Sequence, residues 1–219
     1  MKIYMSIFVF LMDYKNFNNI FSKNDHFILP GKKTHRMLSP SSRKIIRNKN
    51  KPKKASVLIF CYPKNDKMHL ILIKRSNFIG FHSGEISFPG GKLDVGDRTL
   101  EQTALREFRE ELGVQLVSKK DSIKFTPLYI PLSNFMVFPF FTYENFTPKF
   151  FPEPNEVAEL IEFPISELLR SKIKVRKLFN GTSKSIEVPC FKFKNHLIWG
   201  ATAMILNEFK FYLAFRSTN

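Results

Sequence analysis

Apolar runs of strand length and one clear helical periodicity divide the chain. Ser56–Tyr62 and His69–Arg75 are rich in Val, Ile, Leu and Phe and flank Pro63-Lys64-Asn65-Asp66, which predicts two strands joined by a turn. Glu85–Phe88 predicts a short strand feeding the glycine pair Gly90-Gly91. Lys124–Tyr129, Phe135–Tyr143 and Val157–Phe163 predict further strands, and Ile165–Arg170 a short helix. Lys172–Phe179 and Ile186–Phe193 read as a hairpin around Asn180-Gly181. Gly200–Leu213 predicts a terminal amphipathic helix. Strands flanked by two long helices imply an α/β class chain, a mixed sheet sandwiched between helices.

The other long helix starts and stops on local signals. Thr99 with Gln102 three positions on forms a capping box, Gly113 is placed as the C-terminal stop, and no proline lies between them. At about 100° per residue, Glu107, Glu110 and Glu111 fall within an arc of roughly 100°. Ala104, Leu105, Phe108 and Leu112 form a second arc, centred about 120° away. One stripe therefore packs and another presents acid. Like charges at these spacings oppose the helix by a few tenths of a kcal/mol each (~0.2–0.5). Arg106 and Arg109 relieve part of that, and a hard cation with oxygen ligands would relieve more. An acidic stripe alone is usually a solvated face, and a Gly-Gly pair alone is usually a turn. Their combination at fixed distance, Pro89-Gly90-Gly91, then Asp97, then Arg106-Glu107-x-x-Glu110-Glu111-x-Gly113, is far more specific.

That combination resembles the signature of the Nudix hydrolases, which cleave nucleoside diphosphates linked to another group. Five residues separate Gly91 from Asp97, and eight separate Asp97 from Arg106, one more than the common spacing. This expansion resembles the coenzyme A pyrophosphatase branch. So does the upstream segment Leu72-Ile73-Lys74-Arg75-Ser76, His82, Gly84-Glu85-Ile86-Ser87-Phe88-Pro89-Gly90-Gly91. That branch often has a basic residue between serine and histidine, whereas Asn77-Phe78-Ile79-Gly80-Phe81 has none. Ile130–Phe140, Asn155–Glu159 and Ile198–Ala203 also look like family segments, so the resemblance runs from about Lys53 to Leu213.

The resemblance implies a Nudix fold and hydrolysis of coenzyme A, or of an acyl or oxidised form, to 3′,5′-ADP and 4′-phosphopantetheine. A divalent metal, Mg²⁺ or Mn²⁺, neutralises the diphosphate and activates a water in such chemistry. Glu107 and Glu111 are the implied ligands at i and i+4, with Glu110 sharing or bridging. The general base stays open among Glu107, Glu111 and Glu156. Arg106 reaches Glu110 and holds its rotamer, Asp97 anchors the loop, and Gly90 and Gly91 let the backbone approach the helix. Arg75 binds a substrate phosphate or makes a salt bridge at a strand end, and both readings stay open. Ser76 and His82 read as structural. Rival readings are hydrolysis of another nucleoside diphosphate, such as ADP-ribose or a dinucleotide, and a basic RNA-binding module without turnover. The intact acidic set opposes the second.

Composition narrows the picture. With 219 residues and 43% hydrophobic content, the chain can bury one substantial core. The natural division is a basic N-terminal extension, 1–52, and a Nudix domain, 53–213. The net charge of +16 lies mostly in residues 1–54, which hold 13 Lys/Arg against Asp13 and Asp25. The run from Arg43 to Lys54 has no interleaved aromatics for base stacking, so it reads as a solvated linker and not as an RNA site. A positive surface still concentrates a polyanionic substrate. Ile3–Met12 is ten mostly apolar residues, too short for a span, and no small-residue cleavage site follows it. Residues 1–11 read first as an over-extended start, then as a leader, then as a signal. Cys61 and Cys190 sit in apolar runs and read as reduced, buried thiols, which suits the cytoplasm. The 25 phenylalanines read mostly as core filling, with a few available to hold an adenine ring. The implied partner is a small nucleotide substrate, with no membrane; a homodimer stays open.

Overall fold

The computed structural model describes residues 14–22, 29–40, 50–76, 84–116, 122–179 and 185–217. Five helices are described: α1 (Tyr14–Ser22), α2 (Lys32–Arg36), α3 (Leu100–Leu112), α4 (Ile165–Arg170) and α5 (Gly200–Arg216). Eleven strands are described. They are β1 (Lys53–Lys64), β2 (Lys67–Arg75), β3 (Ile86–Ser87), β4 (Gly90–Lys92), β5 (Ile123–Lys124), β6 (Leu128–Ile130), β7 (Phe135–Tyr143), β8 (Val157–Pro164), β9 (Lys174–Phe179), β10 (Ser185–Phe193) and β11 (His196–Trp199). Residues 1–11, Asn77–Phe81, His82 and the Asn180-Gly181 turn lie outside the described residues, as does most of the Arg43–Lys54 run.

The first eight strands form one mixed sheet. β1 runs parallel to β7, Lys53–Cys61 against Phe135–Tyr143, while its other pairings are antiparallel. Side chains alternate across β1. Leu58, Phe60 and Tyr62 join a cluster with Ala104, Phe108 and Leu112 of α3; Ile59 and Cys61 join Phe141, Phe209 and Tyr212 on the α5 side. The expected sandwich of helices around a mixed sheet is thus present. Each fully buried Phe adds roughly 1.5–3 kcal/mol, and Phe60, Phe108, Phe125, Phe141 and Phe209 are all core.

Several boundaries differ from the sequence reading, each for a physical reason. The first turn is tighter than Pro63–Asp66: Pro63 and Lys64 pair with Met68 and Lys67, leaving Asn65-Asp66 at φ 50° and 58°, the left-handed pair that a two-residue hairpin demands. The expected strand Lys124–Tyr129 is two strands. Lys124 pairs with Phe140 but Leu128 with Val137, a one-residue slip, and the break falls opposite Pro139, which has no N–H to donate. Gly90–Lys92 is a strand and not only a loop, paired with Ala55–Val57. A third strand, β11, joins the expected hairpin.

The terminal helix is not amphipathic. Residues 202–209 of α5 are buried without interruption. The polar members of that run find partners in distant segments. Glu208 accepts hydrogen bonds from Gly31 N–H (3.1 Å) and the Thr126 hydroxyl (2.5 Å) and pairs with His35 Nε2 (2.9 Å). Asn207 donates to the Thr34 carbonyl (2.8 Å). The segment 29–40 therefore covers what would have been the wet face. Phe17, Ile20 and Leu38 belong to the same core, so packing does not stop at residue 53. Both cysteines are free and buried, as expected.

Candidate active site

β1 and β2 part beyond Cys61 and Leu70, and the segment 86–92 fills the gap. β3 takes the edge of β2 that β1 leaves, with Ile73 against Ser87, and β4 takes the edge of β1, with Val57 against Gly90. Gly90 is required there. Its φ is 149°, and an added Cβ would lie 2.3 Å from the Ser56 carbonyl oxygen.

α3 lies across this wedge. Thr99 caps it, accepting from Gln102 N–H (3.1 Å), and Gln102 accepts in return from Arg98 N–H (2.9 Å). Gly113 closes it in a left-handed conformation, its N–H on the Arg109 carbonyl. Beyond the cap, Phe151 N–H and Glu153 N–H donate to the last carbonyls, Leu112 (2.8 Å) and Glu111 (2.9 Å).

The three helix carboxylates occupy three environments. Glu110 is the most exposed and accepts from Arg106 Nη1 (2.7 Å). Glu107 is largely covered, takes the same nitrogen at 3.0 Å and lies against Gly91, where an added Cβ would meet its carboxyl carbon at 2.3 Å. Glu111 has no exposed surface. Its side chain leaves the acid stripe for the wedge, where Gly90 N–H donates to one oxygen (2.8 Å) and Arg75 Nη1 approaches the other (3.3 Å). Burial pushes the Glu111 carboxyl up to about 8; Gly90 and Arg75 oppose the rise, and the nearby Glu107 and Glu156 add to it. Burial also raises Glu107, against Arg106 and with help from Glu110 and Glu156.

Arg106 is the hub of the loop. Beyond the expected contact to Glu110 it grips both oxygens of Asp97 (3.0 and 2.9 Å) and the Lys92 carbonyl (3.1 Å), a use of the guanidinium fork that lysine could not match. Asp97 also accepts from Asp94 N–H (3.0 Å). The Arg106 hydrogen bonds hold the Asp97 carboxyl far below the usual range. This geometry suits a loop anchor.

Glu156 reaches the site from the turn that leads into β8, which pairs with β2, and its charge acts on Glu107 and Glu111. Ser76 at the end of β2 fixes its turn, donating N–H to the Glu156 carbonyl and Oγ to the Pro154 carbonyl, both at 2.9 Å. Ser76 thus holds the turn that carries Glu156, and Glu107, Glu110, Glu111, Glu156, Arg75, Arg106, Asp97 and the glycines all meet in one region. Nothing local in the sequence signals that Glu111 is buried, since its partners lie 21 and 36 residues away. Ser87, absent from the candidate residues named above, shares the α3 face with Ile73; strand parity before Pro89 is the sequence signal for it.

Among the described residues, no three acidic, His or Cys side chains form a ready-made metal cage. The donor chemistry nevertheless fits a hard divalent cation: all ligands offered are oxygens, and the carboxylates raise one another's affinity for positive charge.

A model of the NUDIX domain matches residues 52–180, more than half of the chain. The chain belongs to the Nudix hydrolase family. It is 33% identical over 165 residues to Nudix hydrolase 22, chloroplastic, of Arabidopsis thaliana, covering 71% of this chain and 54% of that protein. It thus spans about half of that plant relative. It is 32% identical over 162 residues to mitochondrial coenzyme A diphosphatase NUDT8 of Homo sapiens, covering 73% of this chain and 69% of the human protein. The Mus musculus NUDT8 is 31% identical over 170 residues, covering 75% and 80%. Among solved structures, a MutT/nudix family protein from Enterococcus faecalis shares the fold at 15% identity, with a TM-score of 0.53 over 78% of this chain and 66% of that one. No helix among the described residues is long and apolar enough to cross a membrane. The relatives' names include mitochondrial and chloroplastic proteins and lend no support to a cytoplasmic location.

Proposed function

We propose that this Nudix hydrolase cleaves the diphosphate of coenzyme A, or of an acyl or oxidised derivative, to 3′,5′-ADP and 4′-phosphopantetheine or its acyl form. One observation carries the reading. The segment from Leu72 to Gly91, which resembles the coenzyme A branch, is the same segment that builds the wedge and supplies both partners of the buried Glu111. The names of the human and mouse relatives support the substrate.

Glu107 and Glu111, with Glu110 sharing, would hold Mg²⁺ or Mn²⁺. Such an ion, when bound, neutralises the diphosphate and lowers the pKa of a water. The residues of the chain do the rest. Gly90 N–H and Arg75 orient Glu111. Arg106 and Asp97 fix the loop that carries Gly91 against Glu107. Arg75, partly exposed beside the carboxylates, is placed to bind a phosphate oxygen. Glu156 is exposed, and among the described residues no side-chain hydrogen bond engages its carboxylate, which suits it to take the proton from the attacking water. The water oxygen bonds to phosphorus, the bridging P–O bond breaks, and the bridging oxygen leaves on the second phosphate.

Initial rates on coenzyme A, dephospho-coenzyme A, ADP-ribose and diadenosine polyphosphates test the substrate. Coenzyme A is expected to show the highest kcat/KM. Its 3′-phosphate offers a charge-assisted contact worth roughly 10- to 100-fold over dephospho-coenzyme A. A higher kcat/KM on ADP-ribose would overturn the substrate assignment and leave only the Nudix chemistry.

A further inference from the structure

Ser87 sits at the end of β3, three residues before Gly90. Its register partner on β2 is Ile73, so its side chain leaves the sheet on the face that carries α3. Arg75, two residues along β2 from Ile73, reaches Glu111 from that same face. Ser87 Oγ is buried and has no hydrogen-bond partner, the single such side-chain atom among the described residues. The fold satisfies comparable hydroxyls nearby. Ser56 Oγ donates to the Phe138 carbonyl (2.9 Å), Thr103 to the Thr99 carbonyl (3.3 Å) and Thr202 to the Ile86 carbonyl (2.9 Å).

Native folds rarely strand a buried hydroxyl, because the desolvation goes uncompensated. An alanine would fill this place in the wall of the wedge without that loss. A stranded donor on the same face as Arg75 and Glu111 is instead suited to a polar ligand that arrives from outside the chain. The ligand chemistry that fits beside a guanidinium is an anionic oxygen.

We propose that Ser87 is a substrate-binding residue whose hydroxyl donates a hydrogen bond to an anionic oxygen of the bound diphosphate. The hydroxyl adds a short, directional, uncharged donor where a second cation would compete with metal for the carboxylates. The proposal rests on the diphosphate-hydrolase reading of the site but not on which nucleoside carries the diphosphate.

Full-length Ser87→Ala and Ser87→Cys test it, the second keeping the side-chain volume with only a weak donor. Both are expected to keep a Tm at or above that of the parent, since a stranded group is removed. Both are expected to lose about 10-fold in kcat/KM on coenzyme A and on ADP-ribose alike, and to bind ADP about 10-fold more weakly in the presence of Mg²⁺. Parent-like kcat/KM and ADP affinity, within twofold, would overturn the proposal. So would a loss of activity that tracks a fallen Tm in both variants. If the parent cleaves ADP-ribose and not coenzyme A, the substrate assignment fails while the ADP-ribose arm still decides Ser87. If it cleaves neither, the ADP affinities decide.

Discussion

Glu111 is a carboxyl group with no exposed surface, held by one backbone N–H and one guanidinium. Replacing it with Gln keeps the shape and an acceptor for Gly90 but removes the charge that a metal needs. Glu111→Gln is expected to lower kcat by at least about 100-fold with the Tm retained, checked by steady-state kinetics beside thermal melts. Parent-like turnover with an unchanged metal requirement would show that another carboxylate carries the role. The same residue predicts a pH dependence. Its folded, metal-free carboxyl is raised from an ordinary 4.5 to about 8, so the fold retains a proton that the unfolded chain releases. The resulting stability is complete below about pH 4.5 and is lost as pH rises through about 8. The metal-free Tm of the parent is therefore expected to fall across that window relative to Glu111→Gln. Parallel Tm–pH curves for the two proteins would contradict this. Asp97 has the opposite sign: its carboxyl is depressed by Arg106, so the contribution of that pair is present above the ordinary carboxylate range and is lost only in strong acid.

The wedge of β3 and β4 is the element on which the site depends, and its two glycines have separable duties. At Gly90 an added methyl would meet backbone, the Ser56 oxygen at 2.3 Å and Val57 Cα at 2.6 Å, at a φ that L-residues avoid. Gly90→Ala is expected to cost about 1–3 kcal/mol in urea unfolding as well as activity. At Gly91 the atoms nearest the methyl would be those of the Glu107 carboxyl, the end of a flexible side chain. Gly91→Ala is expected to keep most of its stability and lose activity by displacing Glu107. Equal destabilisation of the two variants would contradict this division. The local parts of these elements were legible in the sequence. Thr99, Gln102 and Gly113 define α3 from contacts within four residues, and the strand runs carry their own β-propensity. The parts that were not legible depend on residues far apart in the chain. β4 is a strand only because β1 parts from β2 and leaves an edge. Glu111 is buried only because Gly90 and Arg75 meet it. The polar positions Asn207 and Glu208 imitate a wet helix face until segment 29–40 supplies their partners, and Thr202 does so until the Ile86 carbonyl accepts its hydroxyl.

At the scale of the whole molecule, the described N-terminal helices are part of the core. Glu208 of α5, fully buried, ties Gly31 and His35 to the sheet side at Thr126. Glu208→Ala leaves buried His35 and part-buried Gly31 and Thr126 without this acceptor and is expected to cost about 3–5 kcal/mol in urea unfolding. Activity measured well below the melting temperature is expected to survive, because the cluster lies on the face opposite α3. The molecule thus divides into a stabilising side, where α5 binds α1 and segment 29–40, and a chemical side, where α3 and the wedge gather carboxylates against Arg75. The proposed activity is the splitting of the coenzyme A diphosphate on the chemical side with the help of a divalent ion. Its most direct test is to incubate the purified full chain with coenzyme A and Mg²⁺ and to resolve the products by ³¹P NMR. The expected result is 3′,5′-ADP and 4′-phosphopantetheine in equal amounts, a complete stop on chelation and recovery when Mg²⁺ or Mn²⁺ is restored. Intact coenzyme A under these conditions, or turnover that persists after thorough chelation, would contradict it.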